Sequence, residues 1–317
     1  MPRPIAILLC VWCVAAGAQT LDHPVTLATP TGTLHGSLRL PPVKNRFAVA
    51  LLIAGSGPTD RDGNGPGLRS DSYRQLAAAL EALEIASVRY DKRGVAASAA
   101  AGPKEADLRF ETYVEDAAAW IAQLRRDPRF HQLVLIGHSE GSLIAALAAA
   151  GSPPDAIVSI AGLSRRASDA LRTQLEPRLP GPLWQQAERI LAALEKGGSA
   201  ADPPPELAAL FRPSVQPYLA SWFRHSPVEA YAKLQVPVLV VQGTADMQVP
   251  VADARALAAA AKGSQLFVVK DMSHVLKAVT ADPASRMQGY TDPALPIVPE
   301  LAPRIARFLR ESREPRR

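Results

Sequence analysis

The apolar positions of the chain recur at two different spacings. Phe47–Ala54 (FAVALLIA) is an unbroken apolar run, which suits a strand buried on both faces. Ile85–Tyr90, Leu133–Ile136, Ile157–Ala161, Pro237–Val241 and Leu266–Val269 are short runs of the same kind and read as strands. Between them, apolar residues three and four apart predict helices at Tyr73–Leu83, Glu111–Arg125, Ser142–Ala150, Val251–Ala261 and Leu301–Glu311. Residues 25–40 read as two strands around a Pro30-Thr31-Gly32 turn. Strands alternating with helices imply an α/β fold with a mostly parallel sheet of about eight strands and helices on both faces.

Leu163–Lys233 breaks this rhythm. It has no strand pattern, only amphipathic pieces at Trp184–Lys196, Glu206–Arg212 and Pro217–Arg224, joined by stretches such as Asp202-Pro203-Pro204-Pro205. The expected organisation is a core of residues 19–162 and 234–317 with a helical cap, 163–233, inserted between two sheet strands. Trp184, Phe211, Tyr218, Trp222 and Phe223 either pack that insertion or line an apolar pocket.

The N-terminus, MPRPIAILLCVWCVAAGAQT, has Arg3, an apolar run and small residues at Ala16-Gly17-Ala18. That is the layout of a secretory signal peptide cleaved before Gln19, and the run is too short to span a membrane. Residues 1–18 therefore read as a leader, and the mature chain is expected in the periplasm or the medium. Both cysteines, Cys10 and Cys13, fall in this leader, so neither cysteine catalysis nor a cysteine-zinc site is expected. The net charge of +5 is spread without a Lys/Arg block, which argues against a nucleic-acid partner.

One strand runs into Gly137-His138-Ser139-Glu140-Gly141, a G-x-S-x-G pattern between strand and helix. A serine hydroxyl needs a base, a group to orient that base, and donors for the oxyanion. Of the six histidines, His274 is the one that follows the serine at the end of a predicted strand, where a parallel sheet gathers its ligand-binding edge. His23, His35, His131, His138 and His225 lie elsewhere. Asp246 follows another strand end in PVLVVQGTADMQVP and suits the orienting acid, with Asp271 and Asp253 as competitors. The oxyanion donors expected are the backbone N–H groups of Glu140 and of Ser56 in Ala54-Gly55-Ser56-Gly57-Pro58, with Gly57 as the alternative. The Glu140 carboxylate would oppose an oxyanion, so it is expected to point away, bonded to an Arg or to donors of the 55–65 loop.

Asp60-x-Asp62-x-Asn64-Gly65 with Asp71 matches the spacing of an EF-hand calcium loop. Asp stands where the last position usually has Glu, Arg61 and Arg69 lie inside, and a strand precedes. The expectation is a turn-rich loop fastened by carboxylate–Arg and side chain–backbone bonds, with no metal.

The segments IAGSGPTDRDGN, SVRYDKRGVAAS, LVLIGHSEGS, VPVLVVQGTADMQVP and DMSHVLK together resemble the α/β-hydrolase superfamily, most closely its capped bacterial esterase and lysophospholipase-type members grouped with serine aminopeptidases. The resemblance implies the α/β-hydrolase fold, Ser139 as nucleophile, Asp246 as acid and His274 as base; the ester hydrolysis expected of these groups needs no metal or organic cofactor. Val95-Ala96-Ala97-Ser98 departs from the G-x-S that usually follows DKRG. The function expected is a secreted serine hydrolase acting on a small-molecule carboxylic ester. The alternatives are an aminopeptidase or amidase of the same fold, or a binding protein that has kept the fold.

Overall fold

In the computed structural model, which describes residues 22–43, 46–200 and 202–313, the apolar runs become the strands of one eight-stranded sheet. The leader read at 1–18 lies outside the described residues. β1 (Asp22–Thr29) and β2 (Gly32–Arg39) form a hairpin, and β3 (Phe47–Ile53) follows. The next loop carries a two-residue ladder of β4 (Asn64–Gly65) and β5 (Leu68–Arg69) and leads into α1 (Ser72–Glu81). Then come β6 (Ile85–Tyr90), α2 (Phe110–Arg125), β7 (Phe130–His138), α3 (Glu140–Gly151) and β8 (Ala156–Ile160). Next are α4 (Ala167–Leu175), α5 (Gly181–Glu195), α6 (Pro205–Phe211), α7 (Gln216–Phe223) and α8 (Pro227–Ala232). The chain returns to the sheet with β9 (Val238–Gly243), α9 (Val251–Ala260) and β10 (Gln265–Val269), and ends in α10 (Pro283–Thr291) and α11 (Leu301–Glu311).

The strand order is β1-β2-β6-β3-β7-β8-β9-β10. β2 pairs antiparallel with β1 and β6, and every later pairing is parallel. The two-residue period of a strand divides the apolar runs between two cores. Val49, Leu51 and Ile53 of β3, Leu133 and Leu135 of β7, and Val238 and Val240 of β9 face α2, α3 and α9. Their neighbours Ala50, Leu52, Val134, Ile136, Leu239 and Val241 face α1 and α11. Burying each Val, Leu or Ile contributes about 1.5–3 kcal/mol, so a run apolar at every position serves both faces at once.

The helices between β8 and β9 hold a third cluster, with Ile190, Leu191 and Leu194 of α5 packed on Leu207, Phe211, Leu219 and Phe223. Trp184 and Trp222 pack against it. The helices missed in the sequence are α4, α8 and α10. The last two follow Ser226-Pro227 and Asp282-Pro283, and the Ser226 and Asp282 side chains accept from the Glu229 and Ser285 N–H groups as N-caps.

Candidate active site

Ser139 lies between β7 and α3 with φ 53° and ψ −118°. Such a conformation costs on the order of 1–3 kcal/mol and persists only where the surroundings fix it. Here the Ser139 N–H donates to the Ile160 carbonyl at 2.9 Å. A Cβ on Gly141 would stand 2.2 Å from the Ile53 carbonyl oxygen, and one on Gly137 would stand 2.2 Å from the Gly141 oxygen. The two glycines of the motif thus let α3 start directly against β3, which leaves the serine at the apex of the turn.

Asp246 follows β9. Its Oδ1 accepts from the Gln248 and Val249 N–H groups at 2.8 and 3.0 Å. Its Oδ2 accepts from Gln242 Nε2 at 3.0 Å and from His274 Nδ1 at 2.8 Å. Burial pushes the Asp246 carboxyl up, but His274 and these hydrogen bonds outweigh it and hold the group below its ordinary range. With Nδ1–H donated to Asp246, His274 keeps the lone pair of Nε2. Ser139 and His274 line one cavity of about 110 Å³, together with Ser56, Thr59, Gln248 and Tyr290. Among the described residues no hydrogen bond joins Ser139 to His274. Such contacts are commonly long before substrate binds.

The other acids and histidines are committed elsewhere. Asp253 accepts from the Ser164 hydroxyl at 2.5 Å and pairs with Arg165. Asp271 is exposed in the turn after β10. His225 bonds Glu111 at 2.8 Å, while His23, His35 and His131 stay in β1, β2 and the start of β7.

The 55–58 loop passes directly over the serine, since a Cβ on Gly55 would stand 3.2 Å from Ser139 Cβ. Gly55 is therefore glycine for close approach. The N–H groups of Ser56, Gly57 and Glu140 donate to no described residue. Gly57 has φ 77° and nothing within 4 Å of a Cβ.

His138 has a role that spacing alone did not suggest. Its ring is buried, with Nε2 2.8 Å from the His274 carbonyl oxygen and Nδ1 2.8 Å from Tyr73 Oη. A carbonyl only accepts, so Nε2 carries the hydrogen and Nδ1 accepts from the tyrosine. Tyr73 Oη in turn accepts from the Gly55 N–H at 3.2 Å. One chain of bonds thus runs from the 55–58 loop through α1 to the backbone of His274. Burial, then the neighbouring His274, lowers the His138 pKa from 6.5 to about 3. Because the folded value is depressed, the stabilisation is complete above the unfolded pKa and is lost as pH falls toward 3. Denaturant unfolding between pH 6.5 and 4 should therefore show wild type losing up to about 1.4 kcal/mol per pH unit more than His138→Gln. Parallel profiles for the two proteins would contradict a neutral, buried His138.

Glu140 turns away from the 55–65 loop, and its partners differ from those expected. It is buried and accepts from Tyr218 Oη of α7 at 2.7 Å. Lys92 Nζ stands 3.6 Å from its Oε1. Neither an Arg nor a donor of the 55–65 loop bonds it. At the first turn of α3 the side chain is carried toward the end of β6 and the inserted helices. Lys92 had a legible signal, because it lies just past a strand end in the DKRG segment; Tyr218 had none beyond its aromatic character.

In the calcium-like loop, Asp60 Oδ1 accepts from the Asp62 and Asn64 N–H groups, both at 2.8 Å. Asp62 pairs with Arg89 at 2.9 Å, and Asp71 accepts from Asn64 Nδ2 at 2.6 Å and pairs with Arg74. These bonds turn the loop back on itself, so that Gly63, Leu68 and Ser70 form a wall of the Ser139 cavity. Among the described residues no group of three or more His, Cys, Asp or Glu is arranged to hold a metal ion.

The profile of the family described as "Alpha/beta hydrolase family" matches residues 26–287, well over half of the chain. The chain belongs to the alpha/beta hydrolase family. Esterase EstD of Thermotoga maritima is 26% identical over 247 residues, covering 77% of this chain. This alpha/beta hydrolase spans 58% of the length of that relative. Among solved structures, Est1E from Butyrivibrio proteoclasticus with ferulic acid bound superposes with a TM-score of 0.63 at 17% identity, covering 91% of this chain and 98% of that one. GrgF from Penicillium sp. sh18 gives 0.56 at 19%, covering 80% and 91%. Both share the fold of this alpha/beta hydrolase. No helix among its described residues is long and apolar enough to cross a membrane.

Proposed function

We propose that this alpha/beta hydrolase is a serine esterase that cleaves small carboxylic esters through an acyl-enzyme. The observation carrying this reading is the Asp246–His274 hydrogen bond of 2.8 Å on the wall of the cavity that Ser139 also lines. His274 Nε2 takes the Ser139 hydroxyl proton as Oγ attacks the ester carbonyl, and Asp246 stabilises the imidazolium that forms. The N–H groups of Ser56 and Glu140 hold the oxyanion, with Gly57 as the alternative to Ser56. His274 returns the proton to the departing alkoxide. Water then repeats the sequence and frees the acid, so no metal or organic cofactor takes part.

An aminopeptidase would need an acid to anchor the substrate's amine. Glu140, the acid nearest the serine in sequence, is buried and already engaged by Lys92 and Tyr218, which favours the ester. The 110 Å³ cavity is smaller than the about 150 Å³ cavity that admits benzene in another protein, so it suits a short acyl group. The inserted helices, which reach the residue after Ser139 through the Tyr218 hydroxyl, are read as a cap, and export rests on the segment at 1–18.

Wild type is expected to take up a fluorophosphonate probe at a single serine and to hydrolyse p-nitrophenyl acetate. Its kcat/KM should fall at least about tenfold on going to the decanoate, as expected where methylenes no longer fit. Failure of the probe to label, or release of aminoacyl anilides in preference to esters, would overturn the esterase reading.

A further inference from the structure

The mechanism above makes no use of Lys92, a lysine that is 2% exposed. Removing an ammonium from water costs several kcal/mol unless its surroundings compensate. Its polar contacts fall on the two segments that carry the proposed oxyanion donors. Nζ donates to the Gly55 carbonyl at 2.5 Å, lies 3.6 Å from Glu140 Oε1, and sits 5.0 Å from the centre of the Tyr113 ring.

We propose that Lys92 is a positioning residue: by holding the Gly55 carbonyl it aims the Ser56 N–H at the oxyanion formed on attack by Ser139. The proposal rests on the reading of Ser139 as nucleophile. The Gly55 carbonyl and the Ser56 N–H belong to one peptide plane, and in a trans peptide they point in opposite directions. No cis peptide occurs among the described residues. Fixing the carbonyl toward Lys92 therefore fixes the N–H on the opposite side. The preceding plane is held as well, because Tyr73 Oη accepts from the Gly55 N–H at 3.2 Å, which leaves ψ of Gly55 as the torsion on the loop side that the Lys92 contact must fix. A cation at the carbonyl also polarises the peptide and strengthens the N–H as a donor.

Glu140 completes the arrangement from the other segment. Its backbone N–H is the second oxyanion donor, and its carboxylate would repel the oxyanion if left alone. Lys92 offsets that charge, and the Tyr218 hydroxyl satisfies Oε2.

The test compares Lys92→Met, Glu140→Gln and the double variant in the full chain, with p-nitrophenyl acetate as substrate and a trifluoromethyl ketone as probe. The ketone forms a tetrahedral adduct whose oxygen occupies the oxyanion site. Lys92→Met should lower kcat about 10²-fold while KM moves less than about twofold, and ketone affinity should fall in parallel with kcat/KM. The double variant leaves no stranded buried charge, so it should melt near the wild-type temperature yet keep the kcat loss. Recovery of wild-type kcat in the double variant would trace the defect to an unpaired Glu140 and overturn the proposal. So would a rise in KM with kcat unchanged. Ser139→Ala, assayed alongside, separates the two layers. Turnover indifferent to Ser139 overturns the esterase reading itself, whereas Ser139-dependent turnover undiminished in the double variant overturns only the role of Lys92.

Discussion

Ser139→Ala should reduce kcat for p-nitrophenyl acetate by about 10⁴–10⁶-fold and abolish labelling by a fluorophosphonate. The loss is expected to be this large because, in the proposed mechanism, the hydroxyl oxygen is the atom that bonds the acyl carbon. Without it the remaining groups act only on bulk water, and the residual rate comes from oxyanion stabilisation and binding. KM has little to lose, because one oxygen contributes little to ground-state contact with a short ester. The variant should fold. Alanine adds no atom to the turn, and the bond that fixes the turn is made by the backbone N–H of residue 139 to Ile160. Circular dichroism and thermal melting alongside the assay establish that the loss is chemical. Retention of more than about a thousandth of the wild-type rate would place the nucleophile elsewhere.

Asp246→Asn is the second large effect, expected at about 10⁴-fold in kcat. The carboxylate accepts four hydrogen bonds, from Gln242, Gln248, Val249 and His274. An asparagine has one oxygen to share among those donors. With that oxygen turned to the two backbone N–H groups, its amide nitrogen faces His274 Nδ1 and favours the tautomer carrying hydrogen on Nε2. That tautomer cannot take the serine proton. The fluorophosphonate should label the variant slowly rather than not at all, since Ser139 and the proposed oxyanion donors are intact. A fall of less than about tenfold would move the orienting acid away from Asp246, with Asp271 the next residue to test.

The sheet was legible because its central strands carry unbroken apolar runs. Phe47–Ile53 and residues 238–241 serve two cores, so their runs stand out against helices such as α1 and α11, which are apolar on one side only. The hairpin announced itself through Pro30-Thr31-Gly32, and the last helix through its strong apolar periodicity. That Ser139, Asp246 and His274 come together was legible for a topological reason. Each follows a strand of a parallel sheet, and such strands bring their ends to one edge whatever their separation in sequence. What stayed hidden depends on contacts between segments remote in the chain. The Glu140 partners lie 48 and 78 residues from it, as the distances from Lys92 and to Tyr218 count, and no local pattern links them. The role of His138 required knowing that Tyr73 of α1 and the His274 backbone converge on its ring. Asp60, Asp62, Asn64 and Asp71 illustrate the opposite hazard. Their spacing matches one chemistry, while the bonds they make turn a loop beside the cavity.

Tyr218 sits on one of the inserted helices, yet its hydroxyl ends on Glu140, the residue that follows Ser139. Insertions between β8 and β9 therefore are not freely exchangeable parts of this scaffold. A chimaera that grafts another relative's helices onto this core inherits a buried carboxylate lacking one of its donors, four bonds from the peptide nitrogen next to Ser139. Such grafts become compatible when the incoming segment carries a hydroxyl at the position of Tyr218, or when residue 140 is replaced together with residue 92. The contact marks where recombination within this fold must preserve a pair rather than a single residue.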